Sequence, residues 1–298
     1  MKKIISSIIS LALITALFAG CSGGTNASNT PEASSTPADL SGTDSPGDSE
    51  EADDEVKEII IRIGASPAPH AAILEVAREL LAEQGITLEI VEFDDYVLPN
   101  TALEEGDLDA NFFQHIAHMN NSNTERGTHL ASAAFIHYEP LGIYKGKTES
   151  LDDLKDGASI AVPDDGSNEA RALLLLEAQG LITLREDVDK MNATKMDIEE
   201  NPHNYDIVEM EAKLVSQVRS DVDLAVINGN YALDAGLTAD DSLAFEDEEL
   251  AEPYVNVLAV RSGDENSNQI KALVSALTSP AVKDFIEKTY GSSVQPVF

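Results

Sequence analysis

Aromatic and imidazole side chains concentrate in one segment of this sequence, residues 93–118. Only 5% of the 298 residues are aromatic and none is Trp. The segment nevertheless contains Tyr96, Phe112, Phe113, His115 and His118. A β-like run over 86–93 leads into it, Gly106 ends a helical piece over 101–105, and 107–111 is predicted to return as an extended strand. The rings therefore fall at the ends of neighbouring elements, where a pocket can form.

Core packing is the alternative for any one of these rings. The polar tips of Tyr96 and His115 favour a pocket wall. Phe112 and Phe113 are adjacent, so their side chains point in different directions if the segment is extended. We expect one of the two in the core and the other in the pocket wall, and the sequence does not decide which.

A loop-to-helix junction carries the second candidate site. Ser167 or Asn168 is predicted to cap a helix that runs from Glu169 to Gln179, which places Arg171 near the first turn. Helix N-termini present unpaired N–H groups and a partial positive charge, and an arginine forms two parallel bonds to a carboxylate. An amino-acid carboxylate fits such a junction. The alternative is a surface arginine paired with Glu169 or another acid.

Two asparagines interrupt apolar β runs. Asn228 ends one strand, at the edge where side chains reach a cleft, and Asn256 lies within the run 254–257. Their amide oxygens are acceptors of the kind that an ammonium group needs. An asparagine in a strand is more often a bulge or edge residue, and that alternative stays open from the residues alone.

His115 and His118 also suggest a metal site. Their spacing of three residues places both on one helical face, where they and a carboxylate would bind Zn²⁺. The other four histidines are scattered and form no His-rich loop. Cys21 is the only cysteine, which excludes an intramolecular disulfide and any metal site with two or more cysteine ligands.

Enzyme signatures are missing from the sequence. It has no Gly-x-Ser-x-Gly, no phosphate-binding loop and no His-Glu-x-x-His. Its adjacent acid pairs, such as Asp94-Asp95, would point to opposite faces of a strand and make poor acid–base couples. We therefore expect no catalysis and no cofactor.

The N-terminus has the organisation of a lipoprotein signal. A short positive region (Met1-Lys2-Lys3) precedes an apolar run over 4–18 that is too short for a comfortable membrane span, and small residues precede Cys21. Cleavage is expected before Cys21, with lipid on its sulfur. Phe18 stands where such signals usually have Leu. An ordinary secretory signal with a chance cysteine is the alternative.

Residues 22–58 are polar and acidic, with almost no large apolar side chain. Such a segment cannot bury enough surface to offset its ordering entropy, so it is interpreted as a tether. The formal net charge of the chain is −35, and most of it lies beyond residue 58. That acidic balance argues against a nucleic-acid partner and against a body lying on anionic lipid.

From Ile59 onward, strand-like and helix-like segments alternate. The β-α-β pattern of 59–65, 71–83 and 86–93 predicts an open, largely parallel sheet. The pattern restarts after Leu151, and about 240 residues with such a restart suggest two α/β lobes. A strand over 254–260 is predicted to return the chain to the first lobe, and helices are predicted over 266–278 and 280–289.

Several motifs, in order and at compatible spacing, resemble the methionine-binding lipoprotein family, the substrate-binding proteins of methionine ABC importers (NlpA-type lipoproteins). The resemblance extends from Ile59 nearly to the C-terminus, and it is carried by FDDYVLPN, GDLDANFFQH, HYEPLGIY, LLLLEAQGLITL, EENPHNYDIVEMEA, AVINGNYAL and PYVNVLAVR. It implies a two-lobed, periplasmic-binding-protein-like fold of type II. The chain would cross between the α/β lobes twice and hold its ligand in the cleft.

The resemblance also implies site roles. Arg171 would hold the ligand carboxylate, Asn228 and Asn256 would contact the ligand, and its apolar end would lie among Tyr96, Phe112, Phe113, His115 and His118. A thioether is polarizable and packs well at ring edges. Family members commonly read Phe-Gln-His-x-Pro-Tyr, where this chain has Ala117 and His118 in place of Pro and Tyr. That departure bears on fine specificity.

The sequence therefore predicts a lipid-anchored binding protein on the extracytoplasmic face of the cell membrane, with L-methionine or a close relative as ligand. Its expected partners are an ABC permease and its ATPase. The alternative is a zinc-binding lipoprotein of an ABC importer that uses His115 and His118. The predicted divisions are a signal peptide (1–20), a lipidated Cys21 with linker (21–58), a first lobe (59–140 with 260–298) and a second lobe with the return crossing (141–259).

Overall fold

The computed structural model describes residues 58–247 and 252–298. The predicted signal peptide, Cys21 and all of the linker except Glu58 lie outside the described residues. Among the described helices, none combines the length and the apolar character needed to cross a membrane.

The described chain contains thirteen strands and eight α-helices. The strands are β1 (Ile59–Ala65), β2 (Ile86–Glu92), β3 (Ala110–His115), β4 (Leu130–Tyr138), β5 (Gly142–Lys145), β6 (Ser159–Pro163), β7 (Thr183–Leu184), β8 (Ile198–Glu200), β9 (Asp206–Met210), β10 (Leu224–Ile227), β11 (Ser242–Phe245), β12 (Val255–Arg261) and β13 (Gln295–Pro296). The helices are α1 (Ala72–Ala82), α2 (Leu98–Glu105), α3 (Ile116–Arg126), α4 (Gly166–Ala178), α5 (Ala212–Val215), α6 (Gly229–Asp234), α7 (Asn268–Leu277) and α8 (Pro280–Tyr290).

Two sheets organise these elements. One has six strands in the order β13-β4-β12-β3-β1-β2, and the other has five in the order β11-β5-β10-β6-β9. Strands β7 and β8 form a separate small pair. Each large sheet buries its own apolar cluster, the first against α1, α7 and α8 and the second against α4.

The prediction of a largely parallel sheet was wrong. The opening β1-α1-β2 unit is parallel, and β1 also pairs in parallel with β3. However, β12 runs antiparallel to both β3 and β4, and β13 runs antiparallel to β4. The sheet is mixed because β12 and β13 enter it late, as the chain returns from the five-stranded sheet and then from α8.

The chain passes between the sheets at two places. Strand β4 lies in the six-stranded sheet and β5 in the five-stranded one, with Glu139 and Pro140 between them. The return runs from β11 to β12, which begins in the six-stranded sheet at Val255. The lobe bounds set at 140/141 and 259/260 remain a prediction.

Two local predictions needed correction. The extended return predicted at 107–111 lies later, because β3 spans Ala110–His115 and all six of its residues are buried. Helix α4 begins at Gly166 and not at Glu169, and its N-cap is Asp165, whose side chain accepts from the Asn168 backbone N–H. Neither Ser167 nor Asn168 is the cap, so Arg171 lies in the second turn.

Candidate functional site

A cavity lies between the two sheets, with about 330 Å³ of empty space when the part open to solvent is included. Its lining is mostly polar and comes from both sheets. The lining residues are Tyr96, Phe113, Gln114, His115, His118, Glu139, Asn168, Arg171, Asn228, Gly229, Asn230 and Asn256.

Strand ends and helix starts supply these side chains. On the six-stranded side they come from β3, from the start of α3, from β12 and from the segments that follow β2 and β4. On the five-stranded side they come from the first turns of α4 and from the β10–α6 junction, where Asn228 is the N-cap residue of α6. Strands β6 and β10 are parallel, so their carboxyl ends open at one edge of the sheet, where ligands of α/β folds bind.

The structure brings most of the predicted site residues together. The seven that line the cavity are Tyr96, Phe113, His115, His118, Arg171, Asn228 and Asn256. Phe112 does not line it: the ring is fully buried in the core and contacts His70 and His137 edge-on, at centroid distances of 4.7 and 5.2 Å. Successive residues of a strand face opposite sides, so Phe113 faces the cavity and Phe112 the core.

Arg171 is buried and already holds a carboxylate of the protein. Its Nε donates to Glu246 Oε1 at 2.7 Å and its Nη2 to Glu246 Oε2 at 2.6 Å. Nη2 also donates to the Glu139 carbonyl oxygen at 2.7 Å, and the guanidinium carbon lies 4.3 Å from the Tyr254 ring centroid. Burial opposes the charge, but Glu246 outweighs it and the pKa of Arg171 is raised.

The two-pronged pairing expected with a ligand is thus made with Glu246. Its carboxylate also accepts from the Tyr138 hydroxyl and from the Leu141 backbone N–H. Among the described residues, Nη1 of Arg171 has no hydrogen-bond partner. Arg171 therefore offers a ligand Nη1 and the charge of the guanidinium, and not the full fork.

An amide chain orients Asn228. The His118 backbone N–H donates to His115 Nδ1 at 3.1 Å, and burial lowers the pKa of His115 to about 3, so the neutral ring carries its proton on Nε2. That N–H donates to Asn168 Oδ1 at 3.1 Å, which also accepts from Asn228 Nδ2 at 2.7 Å. Asn228 Oδ1 is left buried, with no partner among the described residues.

Asn230 and Tyr96 meet on another wall. The Tyr96 hydroxyl donates to Asn230 Oδ1 at 2.5 Å, while Asn230 Nδ2 is buried and unpartnered among the described residues. The Tyr96 ring lies 6.0 Å from Phe113 and 5.0 Å from Tyr231, measured between ring centroids. This wall is apolar on its faces and polar at its tips.

Glu139 is a cavity residue that the sequence analysis missed. Its Oε1 lies 2.6 Å from His137 Nε2 and 3.3 Å from His70 Nε2. Burial raises the pKa of Glu139, and it lowers the pKa of His70 to about 4 and of His137 to about 3. Two neutral imidazoles therefore hold one carboxylate beside the cavity. A glutamate next to Pro140, at the end of a buried β run, was the available sequence signal.

His70 also fixes Asn256. Its Nε2 lies 3.0 Å from Asn256 Oδ1, so the amide oxygen expected to face an ammonium is engaged inside the protein. His70, His137 and Glu139 are close enough to be considered as metal ligands. Their separations of 2.6 and 3.3 Å, however, are hydrogen-bond distances.

The predicted zinc pair does not share an ion-binding face. His115 uses Nδ1 and Nε2 within the amide chain described above. His118 places Nε2 3.2 Å from the Tyr96 carbonyl oxygen and Nδ1 3.4 Å from Asp165 Oδ1. Both nitrogens of each ring thus contact neighbouring groups of the protein, and nothing supports the zinc alternative.

Two α/β lobes with a polar cavity between them define the class: a periplasmic-binding-protein-like fold, as the sequence predicted. The model of the family described as NlpA lipoprotein matches residues 61–298. The chain belongs to that family.

Named relatives share most of their length with this chain. Membrane lipoprotein TpN32 of Treponema pallidum is 42% identical over 81% of this chain and 90% of the relative. Methionine-binding lipoprotein MetQ of Bacillus subtilis is 39% identical over 81% of this chain and 88% of the relative. The solved structure of a nutrient binding protein from Burkholderia cenocepacia bound to methionine is 43% identical, with a TM-score of 0.77 over 80% of this chain and all of that one (100%).

Proposed function

We propose that this protein captures L-methionine, or a close relative, and delivers it to an ABC importer without performing chemistry on it. The cavity carries the proposal: it joins a cation, a carboxylate and an unpartnered amide oxygen to an aromatic wall. That set complements a zwitterion with an apolar side chain. Membership of a family that contains methionine-binding lipoproteins supports the same ligand.

The ligand carboxylate is assigned to Arg171. Because Glu246 occupies Nε and Nη2, the contact falls to Nη1 and to the charge of the group. Asn230 Nδ2, the unpartnered amide donor of the lining, is the second candidate. A charge-assisted bond in a site closed to water is stronger than the same bond at a surface.

The ligand ammonium is assigned to Glu139 and Asn228. Asn228 Oδ1 is a buried acceptor without a partner among the described residues, which costs free energy unless a ligand satisfies it. The Glu139 carboxyl, whose pKa burial raises, supplies the opposite charge once an ammonium beside it favours the ionised form. Asn256, whose Oδ1 bonds His70, contacts the ligand in this proposal through the rest of its amide.

The thioether is assigned to the aromatic wall. Tyr96, Phe113 and His115 line the cavity, and the Tyr96 and Phe113 rings lie 6.0 Å apart, centroid to centroid. Sulfur packs favourably against ring edges. Phe112 is left out, because its ring lies in the core.

Calorimetry is the direct test. The protein is unfolded to remove any ligand that co-purifies, refolded, treated with EDTA and titrated with L-methionine, D-methionine, L-leucine and Zn²⁺. We expect L-methionine to bind with one site per chain, and EDTA to leave the affinity unchanged. Zinc binding without methionine binding would overturn the proposal.

A relative of this chain, TpN32, is named a membrane lipoprotein, which raises the question of how this chain is attached to a membrane. We propose that lipid on Cys21 anchors it to the extracytoplasmic face of the membrane, where a permease and its ATPase receive the ligand. Cys21→Ser is expected to release the protein from the membrane fraction. Retention of the Ser variant at the wild-type level would contradict the anchor.

A further inference from the structure

A contact between His118 and Asp165 joins the two sides of the cavity. His118 lies in the first turn of α3, on the six-stranded side, and Asp165 caps α4, on the five-stranded side. His118 Nδ1 lies 3.4 Å from Asp165 Oδ1, and the two side chains are 14% and 25% exposed. The contact is therefore neither dry nor fully solvated.

Both nitrogens of the His118 ring face acceptors. Nδ1 faces the Asp165 carboxylate, and Nε2 lies 3.2 Å from the Tyr96 carbonyl oxygen. A neutral imidazole carries one N–H and can donate to only one of these oxygens, whereas an imidazolium donates to both. The geometry thus suits the protonated ring.

Asp165 links this contact to the ligand-facing amides. Its Oδ1 accepts from the Asn168 backbone N–H at 3.2 Å, and Asn168 Nδ2 lies 2.9 and 3.0 Å from its two oxygens. Asn168 in turn holds His115 and Asn228. Burial alone would raise the pKa of Asp165, but His118 and Asn168 hold it below its ordinary value.

The titratable groups around the pair come from several elements. His115 and Tyr96 have rings 6.0 and 5.5 Å from the His118 ring, centroid to centroid. The charge of Arg171 lowers the pKa of His115, Glu125 of α3 approaches Gly166 at the start of α4, and Asp164 neighbours Asp165. The pKa of His115 is about 3, so this ring stays neutral over the physiological range.

We propose that His118 and Asp165 are positioning residues that latch the two sides of the cavity over the ligand, so that the ligand leaves more slowly when His118 is protonated. The inference rests on the proposed function and concerns its regulation. Histidine is the side chain that ordinarily changes charge between pH 5 and 8. Asp165, with its lowered pKa, stays ionised there, so the latch weakens as the pH rises.

Stopped-flow release of L-methionine from pH 5.5 to 8.5 tests the latch. In the wild type we expect the release rate to rise with pH by roughly two- to fivefold, the range for a partly exposed charged contact. His118→Gln keeps a hydrogen-bonding side chain without the charge, and Asp165→Asn keeps a good helix cap. Both variants are expected to release quickly at every pH, with a flat profile. Wild-type pH dependence in both variants would overturn the latch.

A ligand-free readout separates the latch from the proposed function. Spin labels at Glu105→Cys and Lys155→Cys, two exposed positions on opposite sides, are introduced into full-length Cys21→Ser protein. Pulsed electron resonance should show the shorter inter-label distances losing population as the pH rises, and His118→Gln should abolish that trend. An identical trend in both proteins contradicts the latch even if no methionine binds. A failure of L-methionine to bind at any pH, with the distance trend intact, counts against the proposed function alone.

Discussion

Two contacts between a basic and an acidic side chain lie beside the same cavity and differ in almost every physical respect. Arg171 and Glu246 meet through two hydrogen bonds of 2.7 and 2.6 Å, with side chains 4% and 3% exposed. His118 and Asp165 meet through one contact of 3.4 Å, with 14% and 25% exposed. The first pair is fixed in a buried setting, and the second offers a contact that solvent and pH can adjust.

The difference separates two tasks of a binding protein. A pair without water keeps its geometry in every state of the ligand, because breaking it leaves a buried charge unpaired. A partly exposed contact between the two sides of the cavity contributes less free energy and can be made and lost in each binding cycle. We infer that the Arg171 pair sets affinity and that the His118 pair sets release.

The largest expected effect is on folding. Glu246→Gln leaves Arg171 buried without its counter-charge, which should cost roughly 3–5 kcal/mol of unfolding free energy. Urea denaturation of ligand-free protein measures it. Glu177→Gln, in the partly exposed pair with Lys190, is the matched control and should cost at most about 1 kcal/mol. Equal losses of unfolding free energy in the two variants would contradict the distinction between buried and partly exposed ion pairs.

Arg171→Ala tests how much Arg171 contributes to the binding of L-methionine. Truncating one partner of a buried charge pair costs roughly 2–5 kcal/mol, so L-methionine should bind about 30-fold to several thousand-fold more weakly. Because the variant also strands Glu246, its folding must be checked by circular dichroism first.

Arg171→Lys should restore only part of the affinity, since a point charge cannot hold Glu246 through two bonds and reach the ligand as well. Arg185, a half-exposed residue paired with Asp197 and outside the cavity lining, provides the control Arg185→Ala. Binding by Arg171→Ala within about threefold of the wild type would mean that the site is wrongly placed.

The buried imidazoles should make the free energy of unfolding depend on pH. The folded-state pKa of His137 is about 3, below the ordinary histidine value, so its stabilising effect is complete at pH 7.5 and declines as the pH falls below about 6.5. In that range the unfolded chain takes up a proton and the folded chain does not. Between pH 7.5 and 5, the wild type should lose about 2 kcal/mol relative to His137→Gln.

Urea denaturation across that pH range measures the difference. The same substitution at His203, an exposed histidine on Asp156, is the control. The folded-state pKa of Glu139 is raised, so Glu139 acts in the opposite direction as the pH falls. Glutamine is chosen for the variant because its amide can still donate a hydrogen bond to the Glu139 carboxyl in place of the imidazole. A constant offset between the wild type and His137→Gln at every pH would contradict a neutral buried His137.

Local signals predicted part of this molecule well. Strands β1 and β10 and the final helices follow from apolar runs bounded by polar or turn residues, and Gly106 ends α2 with a positive φ of 85°. Pairing direction was beyond such signals, because β12 joins β3 and β4 only after more than a hundred residues of the second lobe. The antiparallel half of the sheet was therefore missed.

The residues of the site, too, were only partly predictable from local sequence. The residue types at Arg171, Asn228 and Tyr96 pointed to a polar cleft, and the structure brings them together. The partner of Arg171 lies 75 residues further along the chain, and no local pattern identifies it. The roles of Glu139 and of the two imidazoles likewise depend on β4, β12 and the segment before α1 meeting in space.

The smallest effect expected here tests a neutral contact across the cavity against the charged one. Tyr96→Phe removes the hydroxyl that donates to Asn230 Oδ1 at 2.5 Å and keeps the ring beside Phe113 and Tyr231. A neutral hydrogen bond contributes about 1 kcal/mol net, so L-methionine affinity should fall roughly fivefold.

Burial keeps the pKa of Tyr96 well above its ordinary value, so the loss should not vary with pH between 5.5 and 8.5. His118→Gln, by contrast, should speed release over the wild type more at low pH than at high pH, because only the wild-type rate depends on pH. Calorimetry at several pH values measures the loss of L-methionine affinity in Tyr96→Phe. A loss that varies with pH, as the effect of His118→Gln is expected to, would mean that the two contacts form one cooperative unit.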